Sequence, residues 1–260
     1  MTARRFVSLV FLVLVYLFVL GPVLIVIYDS FNSATSFPSP FESATLEWYR
    51  ALFHHDEFLA SMRVSALLAA LAAGISTALG FFAAYALVRY PLPGKNAIQT
   101  FLLGPLLVPQ IVIGLAMLQL LSLAGLQITL AGLVVVHAVY VMPFTVRLIM
   151  TGLARFDFRL EDAARSLGAG PARTLWYVTL PLTRGGLIAG FLFAFILSFV
   201  NLPLSLFLTD PGTATLPVTM FAYMESRIDP VVAAVASLIV VAAVAITILL
   251  ERGFRLRLFS

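Results

Sequence analysis

The chain has 260 residues, of which 62% are hydrophobic and 11% are charged, and its formal net charge is +4. Soluble domains carry roughly 25% charged residues, so this composition excludes an ordinary soluble enzyme and places most of the chain in a lipid bilayer. The chain has no cysteine, which excludes disulfide bonds and thiol chemistry.

Six apolar stretches without Asp, Glu, Lys or Arg follow one another, and each has about the 20 residues needed to cross the hydrocarbon core. They run at about Phe6–Tyr28, Val64–Val88, Ala97–Gly125, Leu126–Val146, Gly185–Thr209 and Val231–Leu250. We therefore predict an all-α membrane protein with six transmembrane helices. Arg4 and Arg5 precede the first stretch as in a signal peptide, but no small-residue cleavage site follows, so we expect a retained helix.

The distribution of basic residues predicts the orientation of the chain. If the N-terminus is inside, the inner segments hold thirteen of the 16 Lys and Arg residues, and the outer segments hold only Arg50, Arg63 and Arg227. Basic residues concentrate on the cytoplasmic side of membrane proteins, so both termini are expected in the cytoplasm. The positive net charge then follows from topology and does not indicate a nucleic-acid partner.

Prolines interrupt the predicted third, fourth and fifth spans. They are Pro105, Pro109, Pro143 and Pro203. Each removes a backbone hydrogen bond, so we expect kinks or unwound turns there, and unwound turns in a membrane either line cavities or are buried in protein. Pro109 with Gln110, and Asn201 with Pro203, are therefore candidates for lining a transport pathway, with a simple kink as the alternative at each position.

Catalytic and metal-binding residues are not predicted. The only lysine, Lys95, follows Gly94, but Arg89 stands where a phosphate-binding loop needs its first glycine and Asn96 where it needs a hydroxyl. The zinc-protease pattern H-E-x-x-H is absent as well. Within the predicted spans, His137 lacks a partner carboxylate, so a neutral imidazole bonded to a neighbouring helix is favoured over a proton relay.

The polar segment Arg155–Pro181 is predicted to form two short helices. Asp157 can cap the first, in which Leu160, Ala163, Ala164 and Leu167 recur at helical spacing, and Gly168 supplies a left-handed stop. The second helix is expected to start at Pro171 and to end before Pro181. Two capped helices joined at a glycine would form a rigid unit.

This segment resembles the EAA signature of the permease subunits of bacterial ABC importers. Asp162-Ala163-Ala164 is followed after three residues by Gly168 and, after nine more, by Val178-Thr179-Leu180-Pro181. Asp replaces the usual Glu, or Glu161 serves one position early. The resemblance implies a loop that couples to a separate ATPase subunit, formed by Glu161, Asp162, Ala163, Ala164, Gly168, Leu180 and Pro181. The alternative is an amphipathic hairpin that anchors on the membrane surface.

Over essentially its full length the chain is similar to permeases of the spermidine/putrescine type, including an FNS-like start to the first outer loop at Phe31-Asn32-Ser33. The resemblance implies the type I ABC importer (MetI-like) permease fold in one transmembrane domain, residues 1–260, with a core at about 64–250 and a coupling loop at 151–184. It also implies an identical or homologous second permease, two ATPase subunits that bind ATP and Mg, a periplasmic or lipid-anchored solute-binding protein, and the bacterial inner membrane. This chain itself would hold no cofactor and would not be an enzyme.

The solute is expected to be polyamine-like. Polyamine members tend to carry acidic residues after the proline of the third helix and in the middle of the fifth, where this chain has Gln110 and Val200-Asn201. An aminoalkylphosphonate, an opine or another small polar solute is therefore the alternative. A secondary transporter or channel working alone would show intramembrane charge or inverted repeats, and the sequence shows neither. A membrane scaffold without transport would leave the EAA spacing unexplained.

Overall fold

A computed structural model describes residues 3–35, 40–210, 212–227 and 229–254, and this part of the chain is built from helices. They are α1 (Ala3–Ser30), α2 (Glu47–Phe53), α3 (Asp56–Arg89), α4 (Lys95–Leu103), α5 (Gln110–Leu123), α6 (Leu130–Ala154), α7 (Arg159–Ser166), α8 (Pro171–Thr174), α9 (Leu180–Phe199), α10 (Leu202–Ser205), α11 (Leu216–Ser226) and α12 (Val231–Phe254). A 3₁₀ turn follows α4 at Gly104–Leu107, and a π turn joins α8 to α9 at Leu175–Thr179. The all-α prediction is confirmed for the described residues.

Five helical stretches are long and apolar enough to cross a membrane, and a bent pair supplies a sixth span if its two halves are counted together. The bent pair is Lys95–Leu107 with Gln110–Leu123, which meet at an angle of 95°. The prediction of six spans therefore holds on that count. The third of them, however, is a broken helix, because Pro109 cannot continue the backbone ladder.

Several helix boundaries differ from the predicted spans. The second span begins earlier, at Asp56, and α6 runs through Pro143 and beyond Val146 to Ala154. The fifth span begins at Pro171, well before Gly185, and its long helix ends at Phe199. An apolar run marks only the part of a helix that suits the lipid, whereas hydrogen bonding carries the helix into flanking polar residues.

The chain divides into two compact units. Described residues of the first unit come from 1–59 and 220–260, and in it α1 packs against α12. The Tyr49 hydroxyl of α2 lies 2.8 Å from the Ser30 hydroxyl of α1 and 2.7 Å from that of Ser237 on α12. Three helices of this unit are thus joined at one tyrosine.

The second unit, residues 60–219, contains α4 to α10, most of α3 and the start of α11. Its main packing is α6 against α9, where a Cβ atom on Gly152 would lie 3.1 Å from the Cα atom of Gly186. Glycines are required here because the two backbones approach closely. On α3, the Ser76 hydroxyl lies 2.9 Å from Thr145 of α6. Both sites described below belong to this unit.

Candidate functional site

Residues 155–181 form the predicted first helix and its glycine stop, and a second helix begins at the predicted Pro171. Asp157 Oδ1 accepts a hydrogen bond from the Arg159 backbone N–H at 3.0 Å, and Gly168 has φ = +89°. The N–H of Ala169 donates to the Ala164 carbonyl, and the N–H of Gly168 donates to the Arg165 carbonyl. This pair of bonds is the Schellman arrangement, which ends α7 and turns the chain toward α8.

The Asp157 side chain is exposed, and it forms an ion pair with Arg159 at 3.0 Å. The side-chain hydrogen bond from Arg159 lowers the pKa of Asp157 below its usual value. The same contact raises the pKa of the Arg159 guanidinium. The cap at the start of α7 is therefore ionised at neutral pH.

The second short helix does not end before Pro181, so that prediction is wrong. α8 starts at Pro171 as expected, but the π turn Leu175–Thr179 carries it directly into α9, and Pro181 lies in the first turn of α9. A proline lacks an N–H and its ring collides with the carbonyl four residues earlier, here Tyr177. The wider π turn removes that conflict, so the helix continues.

Helix α7 presents its apolar residues outward and its carboxylate inward. Leu160 is 46% exposed and Leu167 is 89% exposed, while Glu161 between them has no exposed surface. Ala163 in the same helix and Gly168 just after it are exposed as well. A helix that packs on its own protein normally buries the apolar stripe. In α7 that stripe is left free.

The buried Glu161 carboxylate has four partners. The Tyr85 hydroxyl donates to both of its oxygens at 3.0 Å, and the Thr179 hydroxyl donates at 2.6 Å. Arg89 Nε lies 3.3 Å and Arg165 Nη2 lies 3.7 Å from Glu161 Oε2. A buried charge is tolerated only with such compensation.

Arg89 also contacts the neighbouring acid. Its Nη2 donates to Asp162 Oδ1 at 2.9 Å, and its guanidinium lies 5.1 Å from the centre of the Phe158 ring. Asp162 itself is 58% exposed. The two acids of the signature therefore differ: Glu161 holds α7 to the protein, and Asp162 lies at the surface.

The other signature residues are divided between surface and core. Ala164 is half-buried, and Pro181 is exposed. Leu180 packs against a buried cluster that includes Ile149 and Leu153 of α6. Sequence reasoning missed Tyr85, Arg89 and Thr179, which complete the site. The one signal in the sequence was that a Glu needs a cation when it is buried, and Arg89 ends α3 on the same predicted side of the membrane as the loop.

The candidate pathway residues lie at two helix breaks. Pro109 precedes α5, after the 3₁₀ turn that contains Pro105. Asn201 separates α9 from α10, and its Oδ1 accepts a hydrogen bond from the Leu204 N–H at 2.9 Å. Pro203 lies inside α10. Helix breaks are therefore present at Pro109 and just before Pro203, at Asn201, whereas α6 continues unbroken through Pro143.

The two breaks meet. Asn201 Nδ2 donates to Gln110 Oε1 at 3.1 Å, and Gln110 Nε2 donates to the Tyr140 hydroxyl of α6. Near this contact, His137 is fully buried, with Nδ1 2.9 Å from the Ser198 hydroxyl and Nε2 3.1 Å from that of Ser205. The interpretation of His137 as a hydrogen-bonded link between helices is confirmed. The site offers amide and hydroxyl groups from four helices, α5, α6, α9 and α10.

The described chain thus has a broken third span, a helix break just after the fifth and a capped loop between the fourth and fifth. Comparison with known proteins decides its family. A family profile described as "Binding-protein-dependent transport system inner membrane component" matches residues 76–256. The chain belongs to this family. As a permease of this kind, it is the membrane-spanning subunit of an ABC importer, as the EAA resemblance predicted.

Individual relatives of the permease cover most of its length. It is 30% identical over 238 residues to the spermidine/putrescine transport system permease protein PotC of Escherichia coli (strain K12), covering 92% of this chain and 90% of that one. It is also 30% identical to the putrescine transport system permease protein PotI of the same strain, over 89% of this chain and 84% of PotI. The molybdenum transport system permease protein ModB of that strain is 35% identical over 65% of this chain.

Solved structures confirm the fold of the permease. A bacterial ABC transporter involved in the import of the acidic polysaccharide alginate matches 100% of this chain and 99% of its own, with a TM-score of 0.72 and 19% identity. An amino acid ABC transporter solved with histidines matches 80% of this chain, with a TM-score of 0.58 and 20% identity. The type I importer permease fold is therefore correct, and the family acts in transport.

Proposed function

We propose that this permease imports a small organic solute by coupling α7 to the ATP-driven movement of separate ATPase subunits. One observation carries the proposal: α7 is fixed from inside by the buried Glu161 and presents Leu160, Ala163, Leu167 and Gly168 on its free side. Such an apolar stripe on a rigid, capped helix suits insertion into a cleft of a partner protein. Glu161, Asp162, Ala164, Leu180 and Pro181 would hold that surface in place.

The proposed assembly contains this chain, a second permease that is identical or homologous, two ATPase subunits and a periplasmic or lipid-anchored solute-binding protein. ATP and Mg bind in the ATPase subunits, and the chain supplies one transmembrane domain, residues 1–260, with its core at about 64–250. Thirteen of 16 basic residues fall on one side of the six-span topology, which supports cytoplasmic termini and a cytoplasmic 151–184 loop in the bacterial inner membrane.

The solute pathway of the proposed importer passes the two helix breaks. Pro109, Gln110, Asn201 and Pro203 would line it, because backbone groups freed from helical bonding can bind a solute only where helices are interrupted. The amide contact between Gln110 and Asn201 supports this placement, since it joins the two breaks directly. Closing and opening this contact would change access to the pathway.

The proposed solute is a polyamine-like amine, because PotC and PotI are polyamine permeases by name and cover most of this chain. One observation favours a second candidate. The helix breaks offer neutral amides where a polyamine would gain from carboxylates, so an aminoalkylphosphonate, an opine or another small polar solute also fits. A counter-charge for a polyamine would then come from the partner permease.

The experiment is reconstitution of the permease in proteoliposomes with its ATPase and binding protein. Uptake of radiolabelled putrescine and spermidine is measured with ATP, without ATP and without the ATPase. We expect uptake only when ATP, ATPase and binding protein are all present. Uptake by the permease alone would show a stand-alone transporter and contradict the proposal. Competition by unlabelled phosphonates and opines then separates the two solute candidates.

A further inference from the structure

The ion-pair network around Glu161 joins α7 to two transmembrane helices. Tyr85 and Arg89 belong to the last turns of α3, and Thr179 belongs to the π turn that leads into α9. All three contact the same carboxylate, at distances from 2.6 to 3.3 Å. We call Tyr85, Arg89, Glu161 and Thr179 the Glu161 cluster. One carboxylate on the loop thus binds a residue of the second span and a residue at the base of the fifth.

Few other contacts hold α7 to the spans. Its apolar residues are largely outward: Leu167 is 89% exposed and Leu160 is 46% exposed, so they contribute little internal packing. Phe158, just before α7, packs near Tyr85 with ring centres 6.3 Å apart and lies under the Arg89 guanidinium. Arg89 Nη2 also binds Asp162 of α7 at 2.9 Å. Force on the free face of α7 would therefore reach α3 through the Glu161 cluster, its Phe158 neighbour and this exposed Arg89–Asp162 contact.

The geometry of the cluster suits transmission of movement in both directions. The Tyr85 hydroxyl contacts both carboxylate oxygens, which fixes the orientation of the carboxylate. Burial removes water that could replace a lost partner, so α7 cannot shift from α3 without leaving a charge uncompensated. Arg165 adds a longer contact from α7 itself, at 3.7 Å, but it does not link α7 to another helix.

We propose that Tyr85, Arg89 and Thr179 are positioning residues of energy coupling: they hold Glu161 so that α7, the end of α3 and the start of α9 move as one body. The inference rests on the proposed function, because it assumes that the ATPase acts on α7. It goes further in assigning the route by which movement leaves the loop. Loss of the cluster should leave the ATPase bound but separate ATP hydrolysis from import.

The test compares assembled complexes that carry Glu161→Gln, Arg89→Gln or both changes. Each is reconstituted with the ATPase and the binding protein, and three quantities are measured: ATPase retained, ATP hydrolysed, and labelled putrescine or spermidine imported. Gln keeps much of the size of Glu161 but removes its charge, and Arg89 can still bind Asp162. The matched control is Asp157→Asn, which removes the charge of an exposed ion pair on the same loop and keeps a capping side chain.

We expect wild-type amounts of bound ATPase and continuing hydrolysis, with roughly a tenfold rise in ATP hydrolysed per solute imported, within the usual range of coupling between sites. The double variant should show a smaller rise than the product of the two single rises, because both changes break the same Glu161–Arg89 pair. Arg89→Lys should lie between wild type and Arg89→Gln, since it keeps the charge and loses the double contact. Asp157→Asn should keep the wild-type ratio.

Three outcomes would overturn the inference. A smaller amount of complex with an unchanged ratio of ATP to solute would show that the cluster only stabilises the fold. Release of the ATPase by both single variants would show that the cluster supports docking and does not transmit movement. Import by the unaltered chain without ATPase would refute the proposed function itself, and the coupling role of the cluster with it.

Discussion

Replacement of Gly168 tests the docking of the coupling loop to the ATPase separately from the folding of the loop. Gly168 has φ = +89°, a conformation that costs other residues about 1–2 kcal/mol. A Cβ atom at this position would meet nothing within 4 Å. The cost is therefore conformational only, and it is small beside the roughly 5–15 kcal/mol by which native domains are stable. Asp tolerates the left-handed region better than most residues, so Gly168→Asp should insert and fold.

The same substitution should abolish transport. It places a charged side chain on the free face of α7, beside the exposed Leu167, where the proposed ATPase cleft would bury it. Burial of an unpaired carboxylate costs several kcal/mol, so docking should be lost while the membrane protein remains. Gly168→Ala is the matched control, because its conformational cost is at least as large but it adds neither charge nor length, and it should keep most of the bound ATPase.

The assay measures the amount of permease in the membrane, co-purified ATPase and solute uptake for each variant. We expect normal membrane amounts for both, with ATPase and uptake lost only for Gly168→Asp. A Gly168→Asp permease that retains its ATPase and transports normally would mean that α7 is a membrane anchor. Equal loss in both variants would mean that backbone strain, and not the docked surface, is responsible.

Four other outcomes are expected. Arg173→Ala, an exposed change at the rim of the loop, should weaken ATPase co-purification and uptake without abolishing them; complete loss would extend the docked surface. The purified permease alone should show no ATP hydrolysis above a vesicle blank, because the chain has no phosphate-binding loop. Gln110→Leu removes the bonds to Tyr140 and Asn201 and should reduce uptake with ATPase still bound, whereas unchanged uptake would remove Gln110 from the pathway. In intact cells, a cysteine that replaces Arg5, Arg165 or Arg257 should label only from the cytoplasm, and one that replaces Glu47 only from outside. Arg257 lies outside the described residues.

Local chemistry made much of the loop predictable. Asp157, Gly168 and Pro171 each act through neighbouring backbone groups, so residue type and spacing were enough to place the first cap, the left-handed stop and the start of the next helix. The same local rule failed at Pro181. There the proline predicts a helix end. In the structure, the wider π turn at Leu175–Thr179 accommodates Pro181, which lacks an N–H, and the helix continues.

Contacts between distant residues were not predictable in this way. Tyr85 and Glu161 are far apart in the sequence, as are Gln110 and Asn201, and a single sequence carries no record of which helix faces which. The prolines indicated where helices would break, but not that the two breaks would meet at Tyr140. The exposure of Leu160 and Leu167 could not be predicted either, because helical spacing defines an apolar stripe but does not show what packs against it.

The π turn also makes the length of the chain between Gly168 and Pro181 critical. An α-helix rotates by about 100° per residue, and a π turn accommodates one residue more than a regular helical turn. Deletion of a single residue within Leu175–Val178 would restore regular winding over the same turn, so α8 and α9 would keep about their present rotation relative to each other. The regular turn would, however, place the carbonyl four residues before Pro181 against the proline ring, so this deletion should be tolerated only together with replacement of Pro181. A residue inserted between Gly168 and Leu175, outside the π turn, would instead rotate the preceding loop by about 100° relative to α9.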